Sequence, residues 1–160
     1  MKIGEKTYVA KTAVIRGDVF IGDRCSIWEN AVIRGDLNYI KIGNGSNVQD
    51  CCVIHCSPEN PVNIGKGVSV GHGAIVHGAT IDDDCIIGIN ATVLDGVFIG
   101  KGSVIAANAV VTPNNKIPEN SLVAGVPGKV IKRDEKLIDL IKENAKIYMQ
   151  LAERYLEGEF

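Results

Sequence analysis

Valine or isoleucine recurs along this chain every six residues: Val9, Ile15, Ile21, Ile27 and Ile33, then Ile42, Val48 and Ile54, then Ile64, Val70 and Val76. The ladder resumes at Ile81 and runs through Ile87, Val93, Ile99, Ile105, Val111, Ile117 and Val123. Around these rungs the chain reads "IGDRCS", "IGNGSN" and "IGKGVS", an aliphatic residue, often a glycine, and a small residue at the fifth place. The breaks are local: three extra residues after Ile33, four after Ile54, one missing after Val76. A period of six suits neither an amphipathic helix nor a long alternating strand. It suits a short strand and a turn. Three such units close a triangular coil of 18 residues, and successive coils stack at about 4.8 Å through parallel backbone ladders. Each rung then points into the prism, and the small fifth residue fills a corner. The nineteen rungs predict about six coils over residues 1–127.

Beyond "VAGVPGKVIKRD" the pattern changes. Across 134–157, apolar side chains fall at Leu137, Ile141, Ala145, Tyr148, Ala152 and Tyr155, with charges between them. Spacings of three and four predict an amphipathic helix. It is expected to lie along the outside of the prism and to cap a protein–protein contact. The fold class expected is all-β, a parallel β-helix, with residues 128–160 as a helical extension of the same domain unit.

Composition adds exclusions. The 160 residues carry a net charge of −2 with both signs mixed, so nucleic acid and anionic membrane surfaces are not expected partners. No window is long and apolar enough for a membrane span, and the first residues lack a signal-peptide stretch, so a cytoplasmic location is expected. Five cysteines, an odd number, point to reduced thiols. Cys25, Cys52 and Cys85 fall at the small corner place. Cys51 and Cys56 do not, and Cys56 adjoins His55 as the one thiol placed to ligate or oxidise.

The register places the three histidines. His55 follows rung Ile54 and His77 follows rung Val76, 22 residues later. Removing the four-residue insertion leaves 18, one full coil, so both point outward from one face, one above the other. Arg34, after Ile33, belongs to the same column one coil below. His72 and Asp50 each stand two places after a rung, Val70 and Val48, and form a second column near a corner, with Gln49 beside it. One prism would struggle to bring His72 to an ion shared by His55 and His77. A neighbouring copy in a cyclic trimer would supply it, making equivalent sites at the subunit interfaces.

The stretches "IRGD" at 33–36, "NVQD" at 47–50, His55 and "GHGAIVHGATI" at 71–81 resemble those of the γ-class carbonic anhydrases, which are hexapeptide-repeat proteins. The resemblance covers nearly the whole chain. It implies a left-handed coil, although the usual crossover rule favours the right hand. It implies a homotrimer in which His55 and His77 of one chain and His72 of the next hold a metal. It further implies that Arg34, Asp36 and Asp50 form an intersubunit ion-pair network, and that Gln49 lies beside the metal-bound water with Asn47 close by. Three imidazoles leave a position open to water, as in a catalytic site; zinc, iron(II) and cobalt all suit nitrogen ligands. The implied reaction is attack of a metal hydroxide on CO2 to give bicarbonate. Zinc in carbonic anhydrase is itself the standard case of such chemistry, with a bound-water pKa near ~7.

The chain departs from the best-studied branch of that family. Leu37 stands where that branch has a glutamate after the "RGD" aspartate, and the loop after His55, "CSPENPVN", is short, with Glu59 its only carboxylate. Glu59 and Tyr148 are the candidate proton shuttles. Two other functions fit the repeat. One is an acyltransferase with a histidine general base and no metal. The other is a catalytically weak or silent homologue that acts as a scaffold or metal-binding module.

Overall fold

Strand pairing repeats with the coil. Ile15 pairs with Ile33, Ile33 with Ile54, Ile54 with Val76 and Val76 with Val93, all parallel. The computed structural model describes residues 1–160 and is a parallel β-solenoid of about seven turns followed by one helix. Every rung from Ile15 to Val123 is buried, and Val9 packs partly buried against the same core. The corners hold the small residues, including Cys25, Ala31, Cys52, Ala74, Cys85 and Ala91. Burying stacked Ile and Val columns removes apolar surface from water at about 25 cal/mol per Å², which is what holds strands of two or three residues together.

One rung that the six-coil count omits brings the total to twenty, nearly seven turns at three rungs each. Ile3 pairs with Ile21, so it stands one hexad before Val9. It is 40% exposed because no coil covers it.

The three breaks become three different corners. After Ile33 the strand Val32–Ile42 continues through the corner. Gly17 pairs with Gly35 but Val19 with Ile40, so the extra residues between them bulge outward. After Ile54 the insertion makes a turn whose ends, Ser57 and Asn60, exchange backbone hydrogen bonds of 3.1 and 3.3 Å. After Val76 the missing residue is absorbed by a tight corner at Gly78, whose φ of +55° is costly for residues with a Cβ.

The helix, Leu137–Leu156, packs on the face built from Tyr8–Val9, Ser26–Ile27, Asn47–Val48 and Ser69–Val70. It buries Ile141, Ala145 and Ala152. Trp28 anchors it: the indole is buried, donates to Ser26 Oγ (2.9 Å) and meets Tyr148 and Tyr155 edge-on. Residues 128–136, expected to belong to the helical extension, do something else. Lys129–Arg133 is a strand, antiparallel to Ser121–Ala124. The last coil would otherwise end in unpaired backbone groups, and this strand covers part of that edge. No helix is long and apolar enough to cross a membrane.

Candidate functional site

Alternation along each strand sets what the first face presents. Ile33, Ile54 and Val76 point inward, so Arg34, His55 and His77 point outward, and the three are stacked in register. The Nδ1 of His55 lies 3.1 Å from the Nε2 of His77. His55 is the more covered of the two.

Each histidine also has a carboxylate within reach. Asp36 Oδ1 lies 3.0 Å from His55 Nε2, Asp95 Oδ1 lies 3.0 Å from His77 Nδ1, and Asp50 Oδ2 lies 2.7 Å from His72 Nδ1. A carboxylate accepts and does not donate, so each favours a ring proton on the nitrogen facing it. In neutral rings that directs lone pairs to His55 Nδ1, His77 Nε2 and His72 Nε2. On the first face those two nitrogens stand 3.1 Å apart, an approach that a shared proton or a cation between them would satisfy. Two nitrogens bound tetrahedrally to one divalent ion at ordinary lengths stand about 3.3 Å apart. The donor set therefore fits a metal such as zinc, with the carboxylates orienting the ligands. Within one chain His72 stands outside this pair, and no group of three or more His, Cys, Asp or Glu side chains is arranged to hold an ion.

Asp95 is the residue the sequence reasoning missed. It lies 18 residues after His77, a full nominal coil, which is the available signal. Because one residue is missing at that corner, Val93 rather than Leu94 pairs with Val76, and Asp95 lands above Gly78, where it turns back to the imidazole.

Of the intersubunit network expected of Arg34, Asp36 and Asp50, the part that lies within one chain is the Arg34–Asp36 pair. Arg34 pairs with Asp36, whose carboxyl is held below its usual range first by that bond and then by His55. Asp50 is directed to His72 instead. The two aspartates lie on different columns, so within one chain Arg34 meets only Asp36.

Around His72 a second set assembles. Gln49 is buried, donates through Nε2 to Asn47 Oδ1 (3.0 Å) and accepts from the His72 backbone N–H (3.2 Å). Asn47 donates to Ser69 Oγ at 2.8 Å. Tyr148 reaches over from the helix, its hydroxyl 3.4 Å from His72 Nε2. Burial, then Asp50 and Cys52, raise the tyrosine pKa, so the phenol stays protonated and donates to the free lone pair. Gln49, His72, Tyr148 and Asn144 share the wall of an open pocket of about 370 Å³ whose other side is Ile86 and Ile89.

Two further residues are placed. Glu59 is exposed on the 57–60 turn. Cys56 is fully buried, its thiol donating to Asn38 O at 3.1 Å, so it turns away from His55 and offers no ligand. Alternation explains this: with Ile54 inward and His55 outward, residue 56 returns to the core.

The fold and this arrangement define a hexapeptide-repeat protein with histidines displayed on its coils. Family models for "Bacterial transferase hexapeptide (six repeats)" and "Hexapeptide repeat of succinyl-transferase" match residues 1–35 and 78–113. A Methanocaldococcus jannaschii protein named "Probable carbonic anhydrase" is 55% identical, over 94% of this chain and 96% of its own. "Gamma carbonic anhydrase 2, mitochondrial" of Arabidopsis thaliana is 39% identical over 94% of this chain, which spans 57% of that relative's length. Among solved structures, a hexapeptide transferase family protein from Anaplasma phagocytophilum superposes with a TM-score of 0.91 at 33% identity, covering 96% of this chain and 92% of the other. The chain belongs to the γ-class carbonic anhydrase family.

Proposed function

We propose that this chain is a metal-dependent carbonic anhydrase that hydrates CO2 to bicarbonate as a homotrimer. The observation that carries the reading is the 3.1 Å approach of two imidazole nitrogens, each ring braced by its own carboxylate. His55 and His77 would hold the ion together with His72 of a neighbouring copy. A bound divalent ion supplies Lewis acidity, which makes water nucleophilic near neutral pH; zinc, iron(II) and cobalt all suit the ligands. Gln49, pinned between Asn47 and the His72 backbone, presents an amide for orienting water or CO2. Arg34 holds Asp36 against His55. Glu59, exposed to solvent, is the group open to proton exchange with buffer, whereas the Tyr148 phenol is held protonated.

Support for the trimer comes from the surface beside the histidines. Val14, Val32, Val53 and Ile75 form an outward apolar column, exposed except at the half-buried Val32, alongside Arg34, His55 and His77, an arrangement suited to burial against another copy. The unpaired state of all five cysteines suits the reducing cytoplasm.

The deciding experiment is stopped-flow CO2 hydration by protein purified without air and loaded with zinc, cobalt or iron(II), with His77→Ala as the blank. A metal-dependent rate lost in the variant supports the reading. A full complement of metal with no rate above the blank rejects it and leaves a metal-binding or scaffold role.

A second reading has one observation in its favour. His72, backed by Asp50, borders a pocket with apolar walls, an arrangement suited to a general base for acyl transfer. Acetyl-CoA turnover that survives chelation would select it.

A further inference from the structure

Residues that interrupt the hexad repeat stand beside one histidine or beside a carboxylate that contacts another. Asp36, against His55, comes from the bulge after Ile33; Ser57 and Asn60 come from the turn after Ile54. Asn60 Nδ2 donates to Ser57 Oγ at 3.1 Å, and Ser57 Oγ donates to Asp95 Oδ1 at 3.1 Å. His77 Nδ1 meets that same oxygen at 3.0 Å. The direction is determined throughout: with its oxygen accepting from Asn60, the Ser57 hydroxyl hydrogen is left for Asp95. Asn38, from the bulge, donates to Pro58 O at 2.8 Å and ties the two interruptions together.

Gly78 makes the room. Any Cβ there would collide with Asp95 Oδ1 and crowd Asn60 Cβ at 2.8 Å. Elsewhere in the solenoid an asparagine or aspartate side chain lies over a glycine one turn away, as Asn90 over Gly73, Asn114 over Gly96 and Asp84 over Gly67. What sets Gly78 apart is that the acid over it also touches an imidazole. Filling the corner needs only the shape of an asparagine; holding a ring N–H is better done by a carboxylate.

We propose that Asp95, held by the Ser57–Asn60 turn, is the positioning residue of His77: it keeps the ring in the Nδ1–H tautomer and aims Nε2 at the facing nitrogen of His55. The short turn is thus a clamp on a ligand, not a truncated loop without a role. The tautomer claim stands on this chain's own contacts; its consequence for metal affinity rests on the proposed function above.

The test compares wild type, Asp95→Ala, Asp95→Asn and Ser57→Ala. Nitrogen-15 spectra of histidine-labelled, metal-free protein report the His77 tautomer, and competition with a chromophoric chelator reports the zinc dissociation constant. Wild type is expected to show the Nδ1–H form. Asp95→Ala is expected to mix the tautomers and to weaken zinc about 10- to 100-fold. Asp95→Asn, which keeps the shape and an acceptor oxygen, should fall between the two, and Ser57→Ala should shift the tautomer less than Asp95→Ala. If Asp95→Ala fails to fold, the asparagine and Ser57 variants carry the comparison. A wild-type tautomer and wild-type zinc affinity in every folded variant would overturn the clamp. A tautomer that follows Asp95 in protein with no affinity for zinc would support the clamp and overturn the metal reading instead.

Discussion

His55 Nδ1 and His77 Nε2 face each other at 3.1 Å, and the other nitrogen of each ring faces a carboxylate, Asp36 for His55 and Asp95 for His77. Neither strand alone produces this. It follows from stacking one coil on the next, with the four-residue insertion carried as a turn so that the register between His55 and His77 survives.

The proposed sharing of the site between chains makes a complementation test available. His72→Ala and His77→Ala should each lose metal. Hybrid trimers of the two should recover some, because a chain with His55 and His77 intact can sit beside a chain with His72 intact. Recovery of bound zinc after verified subunit exchange is the measurement; no recovery in any mixture would count against a shared site.

Proton export should depend on Glu59 and not on Tyr148. Glu59→Gln is expected to lower the maximal hydration rate about tenfold in dilute buffer and to be rescued by imidazole, since general acid–base groups contribute about 10²-fold or more when well placed. Tyr148→Phe should leave the buffer dependence as it was. Stopped-flow rates against buffer concentration decide it.

Acid stability should carry a signature of Asp36. Its carboxyl in the folded protein is held below the ordinary aspartate range by Arg34 and then by His55. A group depressed on folding contributes stability that is present above its unfolded pKa and lost as pH falls through the folded one. Metal-free wild type should therefore lose more stability than Asp36→Asn as the pH falls below about 4, the ordinary aspartate pKa. The pair is exposed and screened, so the difference is small. Urea titrations across that window would reveal it, and parallel curves would remove the effect.

The core rungs should be costly to shorten. Ile54 is fully buried between Ile33 and Val76, whose strands pair with its own on either side. Ile54→Ala is expected to cost about 2–5 kcal/mol, with the spread set by how far the stacked coils close over the gap. Denaturant midpoints with an unchanged slope would measure it.

Thiol chemistry should single out Cys51. It is the exposed cysteine, on a corner at φ +59°, while Cys25, Cys52, Cys56 and Cys85 are buried. Burial pushes the Cys25 thiol up to about 11 and those of Cys52 and Cys85 up to about 12, where thiolate is scarce at neutral pH. A chromogenic disulfide should react with Cys51 in the native protein and with the rest only after unfolding. Fast reaction in a native Cys51→Ser variant would contradict the burial.

Much of this molecule is written in its period. Counting hexads identifies the buried rungs, and subtracting the insertions aligns His55 with His77 and Asp50 with His72. These succeed because a stacked coil converts distance along the chain directly into position on a face. Ile3 obeys the period as well, six residues before Val9, although the ladder starting at Val9 leaves it out. The antiparallel strand Lys129–Arg133 escapes because its residues are all exposed and it exists to pair with an edge.

What the sequence determined alone, then, is which residues share a column and which face they leave by. What only the tertiary structure decided is the lateral aim of each side chain: which nitrogen of His55 faces His77, that Asp50 reaches His72 within its own chain, and that Asp95 bends over Gly78 to reach His77. Repeat length fixes height and face to within a residue. Hydrogen-bond direction depends on tenths of an ångström at corners where residues are inserted or lost, and there the period carries no information.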